Sequence, residues 1–301
     1  MRRRSDFPLY LAFRAFVAGV HVLPRAAALR VGALAGGVAR SPLGLRRAVA
    51  EANLALAFPE RSPAERDALC RRMFAHWGRM SVEVLRAAAT EGREVFPLIR
   101  GGDEVLRTLR DFQARGRGVL VLSGHIGNWE GAAAYVAAHG VPVTGVWKPQ
   151  ANLWIASYLE GLRVRLGVDA IPMPEAREGV IAALREGRIV GLVADQAPIR
   201  GGTWVPFFGR PTKTFNGPGY MAAETGAPVL FGGMLADAAG GYRMFLEVLD
   251  EHPRGDTDEV VLRLTTLYRA RLEALVRSAP EQYLWTHRLW REPPPEDAAA
   301  P

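Results

Sequence analysis

The sequence contains a single cysteine, Cys70, in 301 residues, and only two of its 38 basic residues are lysines, Lys148 and Lys213. One cysteine excludes a disulfide framework and a thiolate metal site, and suits a reducing compartment. There is also no G-x-S-x-G elbow, so a serine nucleophile of the α/β-hydrolase kind is not indicated. Any catalysis must therefore be sought in other residue types.

Acidic residues are almost absent from the first fifty positions, which contain nine arginines and one acid, Asp6. The net charge of +7 therefore comes from the N-terminal fifty residues, and the rest of the chain is close to neutral. A nucleic-acid binder would spread its basic residues along a recognition element with interleaved aromatics. Here the arginines flank apolar residues, which indicates an anionic lipid surface and no nucleic-acid partner.

The stretch 7–24 is apolar apart from Arg14 and His21, and a second apolar stretch with arginines follows it. A spanning helix needs about 20 apolar residues, and an arginine near its centre costs at least ~2.5 kcal/mol. We therefore expect an interfacial amphipathic helix whose arginines reach lipid phosphates. Two alternatives stay open. One is a single membrane span that starts behind the arginine cluster at positions 2–4, with that cluster on the cytoplasmic side by the positive-inside rule. The other is that these helices are ordinary core helices. A cleaved signal peptide fits less well.

Residues 46–92 are expected to be helical, with a break at Pro59 and a new helix that starts at Ser62 with a capping box to Glu65. Beyond them, short β-branched runs alternate with helical stretches, which predicts an α/β fold: a mostly parallel or mixed central sheet flanked by helices. The last two runs are separated by a glycine-rich turn, which predicts an antiparallel pair. The predicted strands are 118–124, 141–147, 169–173, 189–195, 228–235 and 242–249.

Three regions are expected along the chain. Residues 1–95 form an N-terminal helical, membrane-associated region, residues 96–292 form the α/β domain, and the proline- and alanine-rich tail 293–301 is disordered. An apolar fraction of 49% is ample for a packed core.

The segment SGHIGNWE follows a predicted strand and opens a predicted helix. His125 then lies in the turn at the carboxyl end of a strand, where open α/β sheets bind ligands, and Glu130 lies in the first turn of the helix. We expect the chain to fold back so that Glu130 bonds the imidazole and fixes its tautomer. His125 would then act as a general base on an acceptor hydroxyl, with backbone N–H groups at the turn and at the helix start as candidate oxyanion donors. A helix-capping histidine with a dipole-placed glutamate is the structural alternative.

SGHIGNWE resembles the H-x4-D/E block of the bacterial lipid A biosynthesis late acyltransferases, the lauroyl/myristoyl acyltransferase family. Further blocks resemble that family in consistent order over roughly residues 5–292. They are RRAVAEANLALAFPE, VWKPQANLWIASYLEGLRVRLG, VGLVADQAP, WVPFFGRPTKTFNGPGYMAAETGAPV and EQYLWTHRLWR.

The resemblance implies a glycerolipid-acyltransferase-like fold and an O-acyltransferase at the cytoplasmic face of the inner membrane. It implies a donor that is an acyl carrier protein or CoA thioester, a phosphorylated glycolipid acceptor such as a lipid A precursor, and no metal or organic cofactor. Because no enzyme nucleophile is evident, direct transfer is favoured over an acyl-enzyme route.

Carried over to this sequence, the resemblance makes His125 the base and Glu130 its partner. The residues expected at the substrate-binding site are Lys148, Arg163, Arg165, Asp195, Gln196, Phe208 and Gly209. The arginines suit phosphate recognition, and the Phe207–Phe208–Gly209 segment is a candidate acyl groove. Their structural alternatives are a solvated cationic helix face, a loop anchor at Asp195 and ordinary aromatic core.

Lys148 departs from the family pattern, which usually has an arginine there, and the two side chains present different donors. Phosphatidylinositol mannoside acyltransferases share the first block, so that lipid or a lysophospholipid stays open as acceptor. Two other classes of function also stay open. One is an esterase or thioesterase in which the same dyad activates water, and the other is a membrane-binding protein with a relict dyad.

Overall fold

The computed structural model describes residues 4–148, 150–198 and 200–295. Its α-helices are α1 (Phe7–Val22), α2 (Arg25–Arg40), α3 (Arg47–Ala57), α4 (Pro63–Thr90), α5 (Gly102–Ala114), α6 (Trp129–Ala138), α7 (Leu153–Arg165), α8 (Ala176–Arg185), α9 (Gly217–Thr225) and α10 (Thr257–Ser278). Its strands are β1 (Ile99–Arg100), β2 (Val119–Ser123), β3 (Val143–Trp147), β4 (Val168–Pro172), β5 (Ile189–Val193), β6 (Thr203–Phe207), β7 (Arg210–Thr214), β8 (Val229–Ala236) and β9 (Tyr242–Asp250).

The sheet has seven strands in the order β1-β9-β8-β2-β5-β3-β4. Every neighbouring pair is parallel except β8 and β9, which are antiparallel as expected from the short turn between them. The α/β class and the mostly parallel, mixed sheet are therefore confirmed. Strand β2, which carries the SGHIGNWE segment at its end, lies in the middle of the sheet.

Two strand pairings were not expected from the sequence. The two-residue strand β1 pairs with β9 and forms one edge, and β6 and β7 form a separate antiparallel hairpin. The hairpin strands TWVPF and RPTKT contain prolines and charged residues, which mask the alternation that normally indicates a strand.

Helix α4 begins with the expected capping box. The Ser62 side chain accepts a hydrogen bond from the Glu65 backbone N–H, and the Glu65 carboxylate accepts one from the Ser62 backbone N–H at 2.7 Å. Helix α2 packs against α4 through glycine. A Cβ added to Gly36 would lie 2.0 Å from the Phe74 carbonyl oxygen, so only glycine permits this approach of the two backbones.

Two apolar cores cover the two faces of the sheet. One contains Leu120, Leu122 and Phe231 from the strands, with Leu272 of α10 and Trp285 from the C-terminal segment. The other core lies under α5, α6 and α7. Helices on both faces are what a largely parallel sheet requires, because its strands are apolar on both sides.

Within the described parts of the chain, none of the helices has the length and hydropathy that a membrane crossing needs. The first 45 residues nevertheless contain eight of the large apolar side chains that are exposed, and the most exposed are Leu9, Val22, Leu34 and Leu43. Other residues of the same helices, including Val17, Val20 and Ala28, are buried against the domain. Most of the expected disordered tail, residues 296–301, lies outside the described residues.

Candidate active site

The site begins at the turn between β2 and α6. Asn128 caps α6 by accepting a hydrogen bond from the Gly131 N–H at 2.8 Å. Gly127 has φ +61°, and a Cβ there would lie 2.1 Å from the Met234 carbonyl oxygen. The turn therefore depends on glycine at this position, and it leaves His125 at the carboxyl end of the central strand.

The C-terminal segment holds this turn in place. The Leu284 N–H donates to the His125 carbonyl oxygen at 2.9 Å, and the Gly127 N–H donates to the Gln282 carbonyl oxygen at 3.1 Å. From the core side, the Tyr268 hydroxyl donates to the Ser123 carbonyl oxygen at 2.8 Å. The conformation around the imidazole is thus determined by residues 140 or more positions away along the chain.

The partner of the imidazole is Asp195. His125 Nδ1 lies 2.6 Å from Asp195 Oδ1, and the His125 backbone N–H donates to Asp195 Oδ2 at 3.0 Å. Asp195 follows β5, which is the parallel neighbour of β2, so the two carboxyl ends bring these residues together. A carboxylate on Nδ1 leaves Nε2 as the free nitrogen of the neutral ring.

The electrostatics of this pair follow from burial and contact. Burial disfavours the charged ring of His125, but the charge and hydrogen bond of Asp195 outweigh it, so the pKa of His125 is raised above 6.5. Burial likewise opposes ionisation of Asp195, yet the imidazole and the backbone N–H of His125 lower its pKa to about 2. The Asp195 carboxyl is 3% exposed, and its lowered pKa keeps it ionised at neutral pH.

Glu130 does not bond the imidazole, and the hydrogen bond expected from the sequence is wrong. Its carboxylate is held by Arg163 in two hydrogen bonds, Nε to Oε2 at 3.0 Å and Nη2 to Oε1 at 2.5 Å. The physical reason is geometric, because the first turn of α6 directs Glu130 toward α7 while Asp195 already occupies Nδ1. Glu130 still acts on His125 through charge, since it raises the pKa of that ring.

Other polar groups surround the histidine. Gln196 Nε2 lies 3.5 Å from His125 Nε2, the nitrogen left free by Asp195. His287 is near enough to interact electrostatically with His125 and Asp195, and burial lowers its pKa. The guanidinium of Arg269, fully buried, donates to the Asp195 carbonyl oxygen at 3.2 Å and fixes the loop after β5.

The backbone N–H groups of the turn are already engaged, contrary to their expected role as oxyanion donors. Those of His125, Ile126, Gly127 and Asn128 donate to Asp195 Oδ2 and to the carbonyl oxygens of Gly124, Gln282 and Met234. The positive group next to the turn is instead the side chain of Arg163, which also lies 5.6 Å from the Trp147 ring centroid.

An apolar cavity of about 170 Å³ opens beside this cluster and runs between the sheet and helices α5 and α6. Ser123, Trp129, Glu130 and Arg163 line it on the side of the β2–α6 turn. The His125 ring centroid lies 5.0 Å from that of Trp129, so the imidazole is next to the cavity. The inner part is lined by aliphatic side chains of both helices and of the strands, including Val105, Leu109, Val136, Val143 and Ile189.

The other residues expected at the site divide into two groups. Lys148, directly after β3, is exposed at the same edge of the sheet as the turn, whereas Arg165, the last residue of α7, is exposed three residues before the start of β4, near the opposite edge. Phe208 and Gly209 are not among the residues that line this cavity, and their expected place in an acyl groove stays a prediction. Phe208 packs on Phe58 and Trp285 with centroid distances of 5.3 and 5.7 Å, and Gly209 is in the exposed β6–β7 turn with φ +68°.

Sequence reasoning missed the cavity residues Ser123, Trp129 and Trp147. Ser123 and Trp129 are inside the SGHIGNWE segment, and Trp147 ends a predicted strand at the same edge of the sheet. Their closeness to His125 could therefore have been predicted from their places at the strand ends. Among the described residues, no group of three or more His, Cys, Asp and Glu side chains is arranged to hold a metal ion.

Comparison with known proteins bears on this site. A family model described as bacterial lipid A biosynthesis acyltransferase matches residues 3–292. The lipid A biosynthesis palmitoleoyltransferase of Escherichia coli is 28% identical over 270 residues, which cover 88% of this chain and 85% of that protein. The lipid A biosynthesis lauroyltransferase of the same organism is 26% identical over 90% of this chain and 88% of its own length. A phosphatidylinositol mannoside acyltransferase of Mycobacterium tuberculosis is 31% identical over 51% of this chain and 50% of its own.

Proposed function

The chain belongs to the bacterial lipid A biosynthesis acyltransferase family, and we propose that it transfers a fatty acyl chain from an acyl carrier protein or CoA thioester to a hydroxyl of a lipid A precursor. The observation that carries this proposal is the pairing of a base with a place for the acyl chain. His125, bonded to Asp195 at 2.6 Å, has its ring centroid 5.0 Å from that of Trp129, which lines the apolar cavity.

The proposed step is direct transfer. The acceptor hydroxyl oxygen attacks the thioester carbonyl carbon while His125 Nε2 takes the hydroxyl proton. Asp195 stabilises the imidazolium that forms and keeps Nε2 free in the ground state. The carbon–sulfur bond then breaks, and the thiolate of the leaving carrier takes the proton from His125. A new oxygen ester and a free carrier thiol result, and the histidine is neutral again.

Negative charge on the carbonyl oxygen needs a stabilising group, and we assign this to Arg163. Its Nε and Nη2 are held by Glu130, which directs the guanidinium at the mouth of the cavity. A preorganised cation is worth more there than in water, because the surroundings are apolar. Glu130 therefore acts as a positioning residue for Arg163 and supports the charge on His125, which replaces the direct role assigned to it from the sequence.

The surroundings of the site suit charged, lipid-linked substrates. Lys148 is exposed at the carboxyl edge of the sheet, where it is available to phosphates of the acceptor or of the donor's carrier arm. The arginines and exposed leucines of α1 and α2 favour attachment to an anionic membrane surface, at the cytoplasmic face of the inner membrane.

The test is an assay of purified protein with acyl carrier protein loaded with labelled laurate, with and without a lipid A precursor. Transfer predicts an acylated lipid only in the presence of the precursor, and little free fatty acid in its absence. Free fatty acid at the same rate without any acceptor would assign the dyad to a thioesterase instead. Product on phosphatidylinositol mannoside or a lysophospholipid, and none on the lipid A precursor, would overturn the proposed acceptor while leaving acyl transfer in place.

A further inference from the structure

The strands under the cavity present their side chains in rows across the sheet. Alternate residues of a strand face the same side, and the parallel registers align them between β2, β5, β3 and β4. The row nearest the catalytic turn contains Ser123, Val193 and Trp147. The middle row contains Val121, Gly191, Gly145 and Ala170. The innermost row contains Ile189, Val143 and Val168.

The two central residues of the middle row, Gly191 and Gly145, have no side chains. Glycine in the middle of a strand weakens it and often marks a close approach of a ligand. Gly191 and Gly145 are paired directly across β5 and β3, so two adjacent strands are each weakened by an internal glycine at the same position along the sheet. Both residues line the cavity.

The space above these glycines is open. A Cβ added to Gly191 would meet no atom within 4 Å, and one added to Gly145 would meet only the Gly191 carbonyl oxygen at 4.0 Å. Gly232, also at the cavity, is different, because a Cβ there would lie 2.8 Å from Leu246 Cδ1. The absence of side chains at 191 and 145 therefore creates cavity volume, whereas at 232 it accommodates a neighbouring side chain.

The innermost row closes the cavity. Ile189 and Val143 are 3% and 4% exposed and belong to the packed core under α5 and α6. A linear apolar chain that enters beside Ser123 would pass over the two glycines and end against these β-branched side chains. From the first row to the innermost row the strands advance four residues, or about 13 Å at ~3.3 Å per residue.

We propose that Gly145 and Gly191 set the length of the acyl chain that the enzyme uses, because they leave open the middle of the cavity in which the chain lies, with Ile189 and Val143 as its end. This inference rests on the proposed function, since it names the part of the donor that the cavity holds. A side chain at position 191 occupies the path of the distal methylenes. Each methylene that is kept out of the cavity weakens selection of that donor by about fourfold.

The experiment is a competition among acyl carrier proteins loaded with octanoyl, decanoyl, lauroyl, myristoyl and palmitoyl chains, with products identified by mass spectrometry. Gly191→Ala and Gly191→Val are expected to shift the products stepwise toward shorter chains, by at least about tenfold in the ratio of neighbouring chains for valine. Gly145→Ala is expected to act in the same direction, and Ile189→Ala in the opposite one. Gly37→Ala, at an open position on α2, is the matched control and keeps the wild-type profile.

A second readout separates this inference from the proposed function. Binding of the same acyl chains as CoA thioesters, without acceptor, reports chain selection even if the acceptor has been misassigned. If the variants shift the preferred chain length in binding but no acyl chain is transferred to a lipid A precursor, the proposed function is overturned, while the role of Gly145 and Gly191 in chain selection is supported. Normal transfer by folded Gly191→Val with an unchanged chain profile would overturn the glycine pair alone, as would an Ile189→Ala profile that moves toward shorter chains.

Discussion

One carboxylate, that of Asp195, holds both the ring and the backbone of His125: Oδ1 lies 2.6 Å from Nδ1, and Oδ2 accepts the His125 backbone N–H at 3.0 Å. The two residues are 70 positions apart and meet because β2 and β5 are parallel neighbours that end at the same edge. The double contact defines both the tautomer and the orientation of the imidazole, which is what the proposed role of His125 as a general base requires before substrate arrives.

The Glu130–Arg163 pair is expected to act as a unit. Arg163→Met and Glu130→Gln should each lower kcat/KM by about 30-fold or more, because the first removes the cation proposed to stabilise the carbonyl oxygen and the second removes the carboxylate that positions it. The double variant should then be little worse than either single variant, with a coupling of about 1–3 kcal/mol. Strictly additive losses would contradict the pairing. Arg107→Met, an exposed arginine of α5, is the control for general loss of positive charge.

The contact between α2 and α4 should depend on Gly36 and not on its neighbour. Gly36→Ala places a Cβ 2.0 Å from the Phe74 carbonyl oxygen, so the helices must separate, at a cost of about 1–3 kcal/mol in the free energy of unfolding. Gly37→Ala meets no atom within 4 Å and should gain up to about 1 kcal/mol from helix propensity. Thermal unfolding of the two variants checks this, and equal destabilisation by both would refute the close approach.

His76 should make the protein less stable in mild acid. Burial keeps its ring neutral and lowers its pKa from 6.5 to about 4. Between about pH 6.5 and pH 4 the unfolded state binds a proton that the folded state does not, so stability falls as the pH falls, by up to about 3 kcal/mol. The pKa of His125 is raised in the folded protein, so its contribution to folding stability is lost only as the pH rises. His125 therefore does not add to the loss of stability between pH 6.5 and pH 4.

Removing the His76 ring tests this origin. His76→Gln should flatten the fall in the free energy of unfolding across that window, measured by urea denaturation at several pH values. A variant with the same slope as the wild type would show that other groups cause the acid sensitivity.

Attachment to lipid should depend on the outer face of α2. Leu34 and Val38 are 71% and 50% exposed and four residues apart, so they lie on one face together with the exposed Arg30. The double variant Leu34→Ser/Val38→Ser should bind vesicles containing phosphatidylglycerol about tenfold more weakly per side chain removed from the bilayer. Leu262→Ser, at a leucine of α10 that is 52% exposed, close to the value for Val38, should bind like the wild type. Identical binding of all three proteins would exclude this face as the contact.

Much of the fold was predictable because its elements have local signals. The β-branched runs gave β2, β3, β4, β5, β8 and β9 within a few residues, and Ser62 and Glu65 located the start of α4. Strand β1 has only two residues, and the β6–β7 hairpin is interrupted by prolines. Neither produces the period-two pattern on which strand prediction depends.

The members of the site were predictable, but their pairing was not. His125, Glu130 and Asp195 could each be placed at the carboxyl edge of the sheet from the sequence. Which carboxylate reaches the imidazole depends on strand order, and nothing local indicates that β5 lies beside β2. The packing of Phe208 on Trp285 could not be predicted either, since an aromatic pair in sequence does not distinguish a groove from a core.

The most direct test of the account is the pH dependence of kcat/KM for acyl transfer in the wild type and in Asp195→Asn. The base must be neutral, so the wild-type rate should rise with pH to a plateau, with an apparent pKa above 6.5. Without the Asp195 charge, burial is opposed only by the charge of Glu130, so the variant should show a lower apparent pKa and a plateau reduced by about 10²–10⁴-fold. A variant profile with the wild-type apparent pKa and a similar plateau would contradict the assignment of His125 and Asp195 as the catalytic pair.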